Sequence, residues 1–202
     1  NIEASLVGFW GSGNTVYTGA ERYNLKDLKA GQYKMVFRHR NWYIRGYTTQ
    51  ENSGQSYAVT TTSRLFNEGW KPSYNPANVA GSWYPQYTSA FITTLATVFQ
   101  TVLASGGSLA QANQAVSDAA LQGHINGRAT ADVGRPAAGS SQFKTLFDQV
   151  RSTPIPNGGL FVDRTDLWVA EAQYNFSEHI KFAEIIVGGN YKKYVLNSNG
   201  TL

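Results

Sequence analysis

The chain has 202 residues, of which 42% are hydrophobic and only 15% are charged, and its formal net charge is +4. Soluble domains usually carry roughly 25% charged residues, so the composition provides less charge than a soluble surface of this size normally has. The chain has no cysteine, which excludes a disulfide scaffold, a thiol nucleophile and thiolate metal sites.

The first predicted elements are two long strands. Residues 2–25 form the first, with glycines between positions 8 and 13 that mark bends or bulges. Residues 26–31, with the sequence KDLKAG, are predicted to be a polar turn, and residues 32–49 a second strand. The apolar alternation of this strand is interrupted, and a bulge near Arg40–Asn41 would resolve its facing. The segment 1–49 therefore contributes strands one and two.

The middle of the chain, residues 50–163, differs in kind and is predicted to be a long loop with helical content. Its first part is polar and aromatic without a sustained period, and residues 126–141 are a connector rich in glycine, alanine and serine. Ser108 and Gln111 have the spacing of a capping box. The periodicity predicts three helices: one from Tyr84 to the Gly106–Gly107 stop, one from Ser108 to about Gln122, and a short one over 143–150.

The clearest alternation lies in the last segment, 164–202, which is predicted to form strands three and four. Apolar residues occupy every second position in each strand, and polar residues or glycine occupy most of the positions between them. A short polar break separates the two runs. The apolar side consists of Trp168, Ala170, Ala172, Tyr174 and Phe176 in strand three, and of Ala183, Ile185, Val187, Gly189 and Tyr191 in strand four.

The arrangement of these apolar residues predicts that they face lipid. Aromatic residues lie at the ends of the stripe and small aliphatic residues lie between them, as in a membrane barrel with aromatic girdles. The nine residues from Trp168 to Phe176 match the roughly 9–11 residues that a tilted strand needs to cross a bilayer. The short connection 177–181 fits a periplasmic turn, and 50–163 fits an extracellular loop. The alternative is a soluble β-sandwich, whose strands alternate in the same way.

Other features limit this interpretation. About four strands cannot close a barrel, because bacterial membrane barrels have at least about eight. The first residues do not form a secretory signal, and no stretch reaches the roughly 18–20 continuous apolar residues of a membrane helix. We therefore expect either an internal piece of a longer polypeptide or an assembly of several copies.

Three stretches resemble one family. The sequence NWYIRGYTTQENSGQSY at 41–57, with TVYTGAERYNL at 15–25 and the run from AEAQYNF to the end at 170–202, is similar to the barrel region of TonB-dependent outer-membrane receptors of the Bacteroidota, the group that includes SusC-like transporters. The middle helices match this family only as a variable outer loop.

The resemblance implies an all-β membrane barrel in the outer membrane that imports a large ligand without chemistry on it. Such receptors have about 22 strands around a plug, bind ligand from outside and receive energy through TonB, which contacts a periplasmic box. A surface lipoprotein is a further partner that the resemblance leaves open. The chain shows no plug, no TonB box and no aromatic C-terminal strand end, so the resemblance implies an internal barrel fragment.

We expect no catalytic residue, metal site or cofactor. The three histidines lie far apart in the sequence, and none has a second His, Asp or Glu at metal-ligand spacing. Lysine and arginine are scattered, and the densest cluster (Arg38, Arg40 and Arg45) falls among strand residues, so no nucleic-acid partner is expected.

Two groups of residues are candidates for ligand binding. Aromatic side chains in the predicted outer loop would suit sugar rings or hydrophobic ligands, although packing among the loop helices explains them too. Polar side chains on the predicted inner side of the strands would line the lumen, where water alone also satisfies them. These candidates are Trp70, Trp83, Tyr84 and Tyr87 in the loop, and Arg45, Glu171 and Gln173 in the strands.

Two other functions remain open. One is a soluble β-rich carbohydrate-binding or adhesin domain, which would not require detergent. The other is a structural outer-membrane barrel without transport, which would lack a plug domain.

Overall fold

A computed structural model describes residues 1–201. The chain divides into two compact units: residues 1–62 with 149 onwards, and Ser63–Asp148. The first unit is built on an antiparallel sheet and the second is helical. The predicted combination of long antiparallel strands with a helical insertion is therefore confirmed.

The sheet has six strands in the order β1-β2-β3-β5-β6, with the short β4 paired to β2. All neighbouring strands are antiparallel. β1 and β6 each pair on one side only, so the sheet is open and this chain alone is not a closed barrel. The strands are β1 (Glu3–Thr18), β2 (Arg22–Arg38), β3 (Trp42–Asn52), β4 (Tyr57–Ala58), β5 (Arg164–Asn175) and β6 (Ile186–Asn197).

The prediction of about four strands is wrong, because the first 52 residues form three long strands rather than two. The predicted turn at 26–31 lies inside β2, and the chain reverses instead at 19–21. Asp27 adopts a left-handed φ of 57°, and its N–H donates to Asn14 Oδ1 at 2.7 Å. The β1–β2 register shifts at the same level, just after Gly13. The polar segment is thus absorbed as an irregularity within the hairpin.

The facing problem near Arg40–Asn41 has a similar origin. No bulge forms there; the chain reverses between β2 and β3, and the His39 N–H donates to the Trp42 carbonyl at 2.8 Å. The break in alternation therefore marks a turn between two strands.

Three residues of the predicted apolar stripe lie outside the strands. Phe176, Ala183 and Ile185 belong to the connection between β5, which ends at Asn175, and β6, which begins at Ile186. The Asn175 side chain accepts a hydrogen bond from the Ser177 N–H at 2.8 Å, the pattern of an Asx turn, which ends the strand. The predicted facing applies only to the stripe residues within β5 and β6.

The helices agree with the sequence analysis in part. The predictions of α2, of a helix near 143–150 and of the Ser108–Gln111 capping box are confirmed. The second predicted helix is divided at Ala119, and its continuation enters the predicted connector. The first helix was not predicted, because threonines, which are poor helix formers, occupy its first turn, and the buried Thr62 takes a place on its inner side that an apolar residue would have marked. The bounds are α1 (Val59–Trp70), α2 (Trp83–Ala104), α3 (Leu109–Asp118), α4 (Ala120–Ala131) and α5 (Ser141–Ser152).

Within the helical unit, α2 packs against α3 and α4. Two buried glycines of α4 allow the close approach to α2. A Cβ atom at Gly123 would lie 2.9 Å from the Phe91 ring, and one at Gly127 would lie 2.8 Å from the Tyr87 ring. Any larger residue at these positions would push the two helices apart.

Among residues 1–201, α2 is also the one helix long and apolar enough to cross a membrane, with a mean hydropathy of 1.2. The finding rests on length and composition alone, and core helices of soluble proteins meet the same criterion.

We expect Gly127→Ala to destabilise the helical unit by about 1–3 kcal/mol, because the added methyl group would contact both the ring and the carbonyl oxygen of Tyr87. Helix propensity alone would favour alanine by about 1 kcal/mol, so a loss of stability isolates the packing effect. Urea unfolding followed by circular dichroism at 222 nm measures it. Ala129→Ser, at an exposed position of the same helix, is the control, and a stabilised Gly127→Ala variant would contradict the packing.

Candidate binding surfaces

Strand register determines which side chains share a face of the sheet. Residues directly opposite each other in antiparallel strands project to the same side. Ala172 lies opposite Ile44 and Gly189, and Ile44 lies opposite Phe37. We call this side the alanine face; its apolar residues and glycines are Ala4, Leu6, Gly8, Trp10, Gly31, Tyr33, Met35, Phe37, Trp42, Ile44, Gly46, Trp168, Ala170, Ala172, Tyr174, Val187, Gly189, Tyr191 and Val195.

The alanine face forms an apolar band across all five long strands. Its side chains are exposed: Leu6 is 81% accessible, Ile44 52% and Tyr191 66%. One row of aromatic residues lies toward the turns at 39–41 and 176–185, and a second row lies toward the insertion between β3 and β5. The first row is Phe37, Trp42 and Tyr174, and the second is Trp10, Tyr33, Trp168 and Tyr191.

The opposite side, which we call the ion-pair face, has polar residues on its central strands. Arg45 Nε donates to Glu171 Oε2 at 2.9 Å, and its guanidinium carbon lies 5.8 Å from the centre of the Tyr47 ring. Gln173 lies beside Tyr43 on the same face. The structure therefore brings the predicted residues Arg45 and Glu171 together, with Gln173 one pair further along the strand.

A depression of about 470 Å³ opens on the ion-pair face beside this pair. Its polar lining includes Gln32, Lys34 and Arg45, and its apolar lining comes from the edge strand β1. Apolar side chains also occur on this face: they are exposed at both edges of the sheet, and Val169 on β5 is buried. The exposed edge residues include Val7 and Phe9 on β1, and Ile186, Tyr194 and Leu196 on β6.

A second depression, of about 280 Å³, lies within the helical unit. Two tryptophans line it, each held by its indole N–H: Trp70 donates to the Gly134 carbonyl and Trp83 donates to Asp132 Oδ1, both at 2.8 Å. Three cationic side chains surround the indoles. They are Lys71, Arg128 and Arg135.

The cations differ in what they contribute to this pocket. Lys71 Nζ donates to Gln86 Oε1 and to the carbonyl oxygens of Ala131 and Val133, so its ammonium closes the C-terminal end of α4. Arg128 and Arg135 approach Asp132 at 3.3 Å and 3.9 Å, and their side chains are 61% and 43% exposed. The two guanidinium groups therefore keep donors that face solvent.

The Asp132 carboxylate is held in its charged form. Burial is the largest single influence and raises its pKa, but the hydrogen bond from Trp83 and the charges of Arg128 and Arg135 together outweigh burial and lower the pKa below its ordinary value. The pocket therefore combines an ionised acceptor, two guanidinium groups and two indole surfaces.

Of the four predicted loop aromatics, the structure brings two into this pocket, Trp70 and Trp83. Tyr87 stacks on Trp83, with ring centroids 5.1 Å apart, and its hydroxyl hydrogen-bonds to His124. Tyr84 is 59% exposed outside the pocket. Packing among the helices therefore explains Tyr87, which is the alternative explanation that the sequence offered for these aromatic residues.

The charged residues of the pocket were missed in the sequence. Arg128, Asp132 and Arg135 lie four and three residues apart, the spacing that places side chains together on a helix and its end. That spacing was the available signal, although charged residues on an exposed helix produce it often.

Within residues 1–201, no group of three or more His, Asp or Glu side chains gathers to hold a metal ion. Comparison of the chain with protein-family models, with curated proteins and with solved structures finds no match in any of the three.

We expect Asp132→Asn to destabilise the helical unit by about 1–2 kcal/mol at neutral pH, because the two arginines lose their counter-charge while the acceptor for Trp83 remains. The folded-state pKa lies below the unfolded value of about 3.9, so the stabilisation is complete above that pH and is lost as the pH falls through the folded-state pKa. The free energies of unfolding of the wild type and the variant should therefore differ at pH 7 and come closer together at about pH 3.

Asp118→Asn is the matched control, because this exposed carboxylate accepts only a hydrogen bond from Gln114 within its own helix. A constant difference between wild type and Asp132→Asn from neutral to acidic pH would contradict the ionised role of Asp132.

Proposed function

We propose that the chain forms part of the β-barrel of a TonB-dependent outer-membrane receptor that imports a large ligand. The observation that supports this proposal is the alanine face, an exposed apolar band with an aromatic row along each side. The three stretches that resemble this receptor family supply the more specific part of the proposal.

The physical argument concerns the surface that water would contact. Soluble monomers rarely expose contiguous apolar patches larger than a few hundred Å², and antiparallel sheets in water normally pack one apolar face onto a core. Here the apolar face extends across five strands and its side chains are exposed. Lipid contacts such a face without cost, and interfacial aromatic residues flank the apolar zone in membrane barrels.

The free edges of β1 and β6 carry unpaired backbone groups, which hydrocarbon cannot satisfy. Further strands must therefore continue the sheet until it closes, and the ion-pair face would then line the lumen. Arg45 and Glu171 would be lumen residues, and exposed Phe9 and Leu196 would meet the plug. The outer-membrane lipids contact the opposite side.

The long insertion lies at one end of the sheet together with the short turn 19–21, and only short connections lie at the other end. The connections 39–41 and 176–185 lie at this second end, where Arg40 Nε approaches Glu178 Oε1 at 3.0 Å. The insertion 53–163 leaves from the first end. We assign the short connections to the periplasmic side, where TonB acts through a region outside this chain, and the insertion to the cell exterior. The Trp70–Trp83 pocket would contact the ligand there, with or without a surface lipoprotein.

A second candidate function is a soluble β-rich carbohydrate-binding or adhesin domain. The observation that favours it is the same two-tryptophan pocket, since indole surfaces suit sugar rings. The two candidates differ in solubility: the receptor requires detergent or lipid to stay dispersed, and the adhesin does not.

The alanine face provides the sharper test. Ala172→Lys places a cation at the middle of the band, and we expect it to lower the free energy of unfolding in lipid by roughly 2–4 kcal/mol. Gln173→Lys, one residue along on the ion-pair face, is the matched control and should be nearly neutral. Equal losses at the two positions in a denaturant titration in lipid vesicles would contradict the assigned facing.

A further inference from the structure

The alanine face changes character just beyond its second aromatic row. Lys29, Asn52 and Arg164 lie side by side in one register row on β2, β3 and β5. The next row toward the band contains Gln50 and Asp166. Polar and cationic side chains therefore replace apolar ones at the end of the band that lies toward the insertion.

These residues border a depression of about 310 Å³ that reaches back into the band. Gly31 contributes no side chain between Trp10 on β1 and Gln50 on β3. Trp10 and Tyr33 form the aromatic part of its lining, and the polar part includes Lys29, Asn52 and Arg164 together with Gln50 and Asp166. The depression is therefore apolar at one end and polar, with two cations, at the other.

The cations here are available to a ligand. Within residues 1–201, Arg164 has no carboxylate within 4.0 Å. Lys29 pairs with Asp27 at 3.3 Å, but both side chains are almost half exposed, and such pairs contribute little. Two acidic residues border the depression, Asp166 and Glu51. Register assigns the Glu51 side chain to the ion-pair face, so Asp166 is the carboxylate that shares this face with Lys29 and Arg164. Gln50 and Asn52 add neutral amide donors.

We propose that this depression binds the phosphate headgroup of an anionic membrane lipid whose acyl chains lie along the alanine face. Arginine and lysine are the preferred phosphate partners, and basic sites at the membrane surface hold anionic headgroups. The inference rests on the proposed function, because it requires the band to lie in lipid. The continuity of the cationic row with the band selects a lipid over a soluble phosphate compound.

The test uses the intact protein in detergent with two lipids of identical acyl chains, phosphatidylglycerol and phosphatidylcholine. Native mass spectrometry measures the lipid retained on the protein. We expect the wild type to retain more phosphatidylglycerol than phosphatidylcholine. In the double variant Lys29→Gln/Arg164→Gln this ratio should fall about tenfold, because two charge-assisted contacts are removed. Inorganic phosphate at the same concentration should not displace the lipid.

The control double variant is Arg38→Gln/Lys192→Gln, which removes the same charge from the ion-pair face and should keep the preference. Circular dichroism establishes that both variants remain folded. Equal preference in the two double variants, or displacement by inorganic phosphate alone, would overturn the lipid site and leave the membrane proposal standing. A wild type that stays dispersed without detergent and retains neither lipid would overturn both.

Discussion

The register of the backbone hydrogen bonds is the constraint on which the two faces of the sheet depend. Side chains alternate with a period of two, so a slip of one residue between any two strands would move apolar residues to the opposite face. Five long strands keep their apolar residues in register from Ala4 on β1 through Ile44 to Gly189 on β6. The irregularity near Gly13 and Asp27 lies beyond the band and leaves this register intact.

The backbone N–H and C=O groups along the outer edges of β1 and β6 have no partner strand within the described residues. β1 has 16 residues and β6 has 12, and each offers one edge without a partner. In water such edges are templates for pairing with another strand, and in lipid they cannot remain open. Added strands, whether from the same polypeptide or from further copies, would satisfy the edges and enclose the Arg45–Glu171 pair. Closure, the lumen and the lipid-facing band are therefore linked parts of one proposal.

The sequence predicted those features that local periodicity encodes. The alternation of Trp168, Ala170 and Ala172 correctly placed these residues on one side of a strand, and the Ser108 capping box correctly marked a helix start. Turn placement was wrong, because the polar run at 26–31 resembles a turn whereas Asp27 accommodates it within β2. The neighbours of Arg128 and Asp132 depend on tertiary packing between helices, so the pocket could not be read from spacing alone. The ends of the strands could not be predicted from periodicity, because the apolar alternation continues past the paired residues, as at Ile185 just before β6.

The central claim is that lipid covers the alanine face, and site-directed spin labelling tests it most directly. The chain has no cysteine, so single cysteines at each position from 169 to 174 can carry a nitroxide without competing thiols. In lipid vesicles, the account predicts that collisions with oxygen peak at 170, 172 and 174, while collisions with a water-soluble nickel chelate peak at 171 and 173. High accessibility to the nickel chelate at 170 and 172, or no alternation along β5, would contradict it.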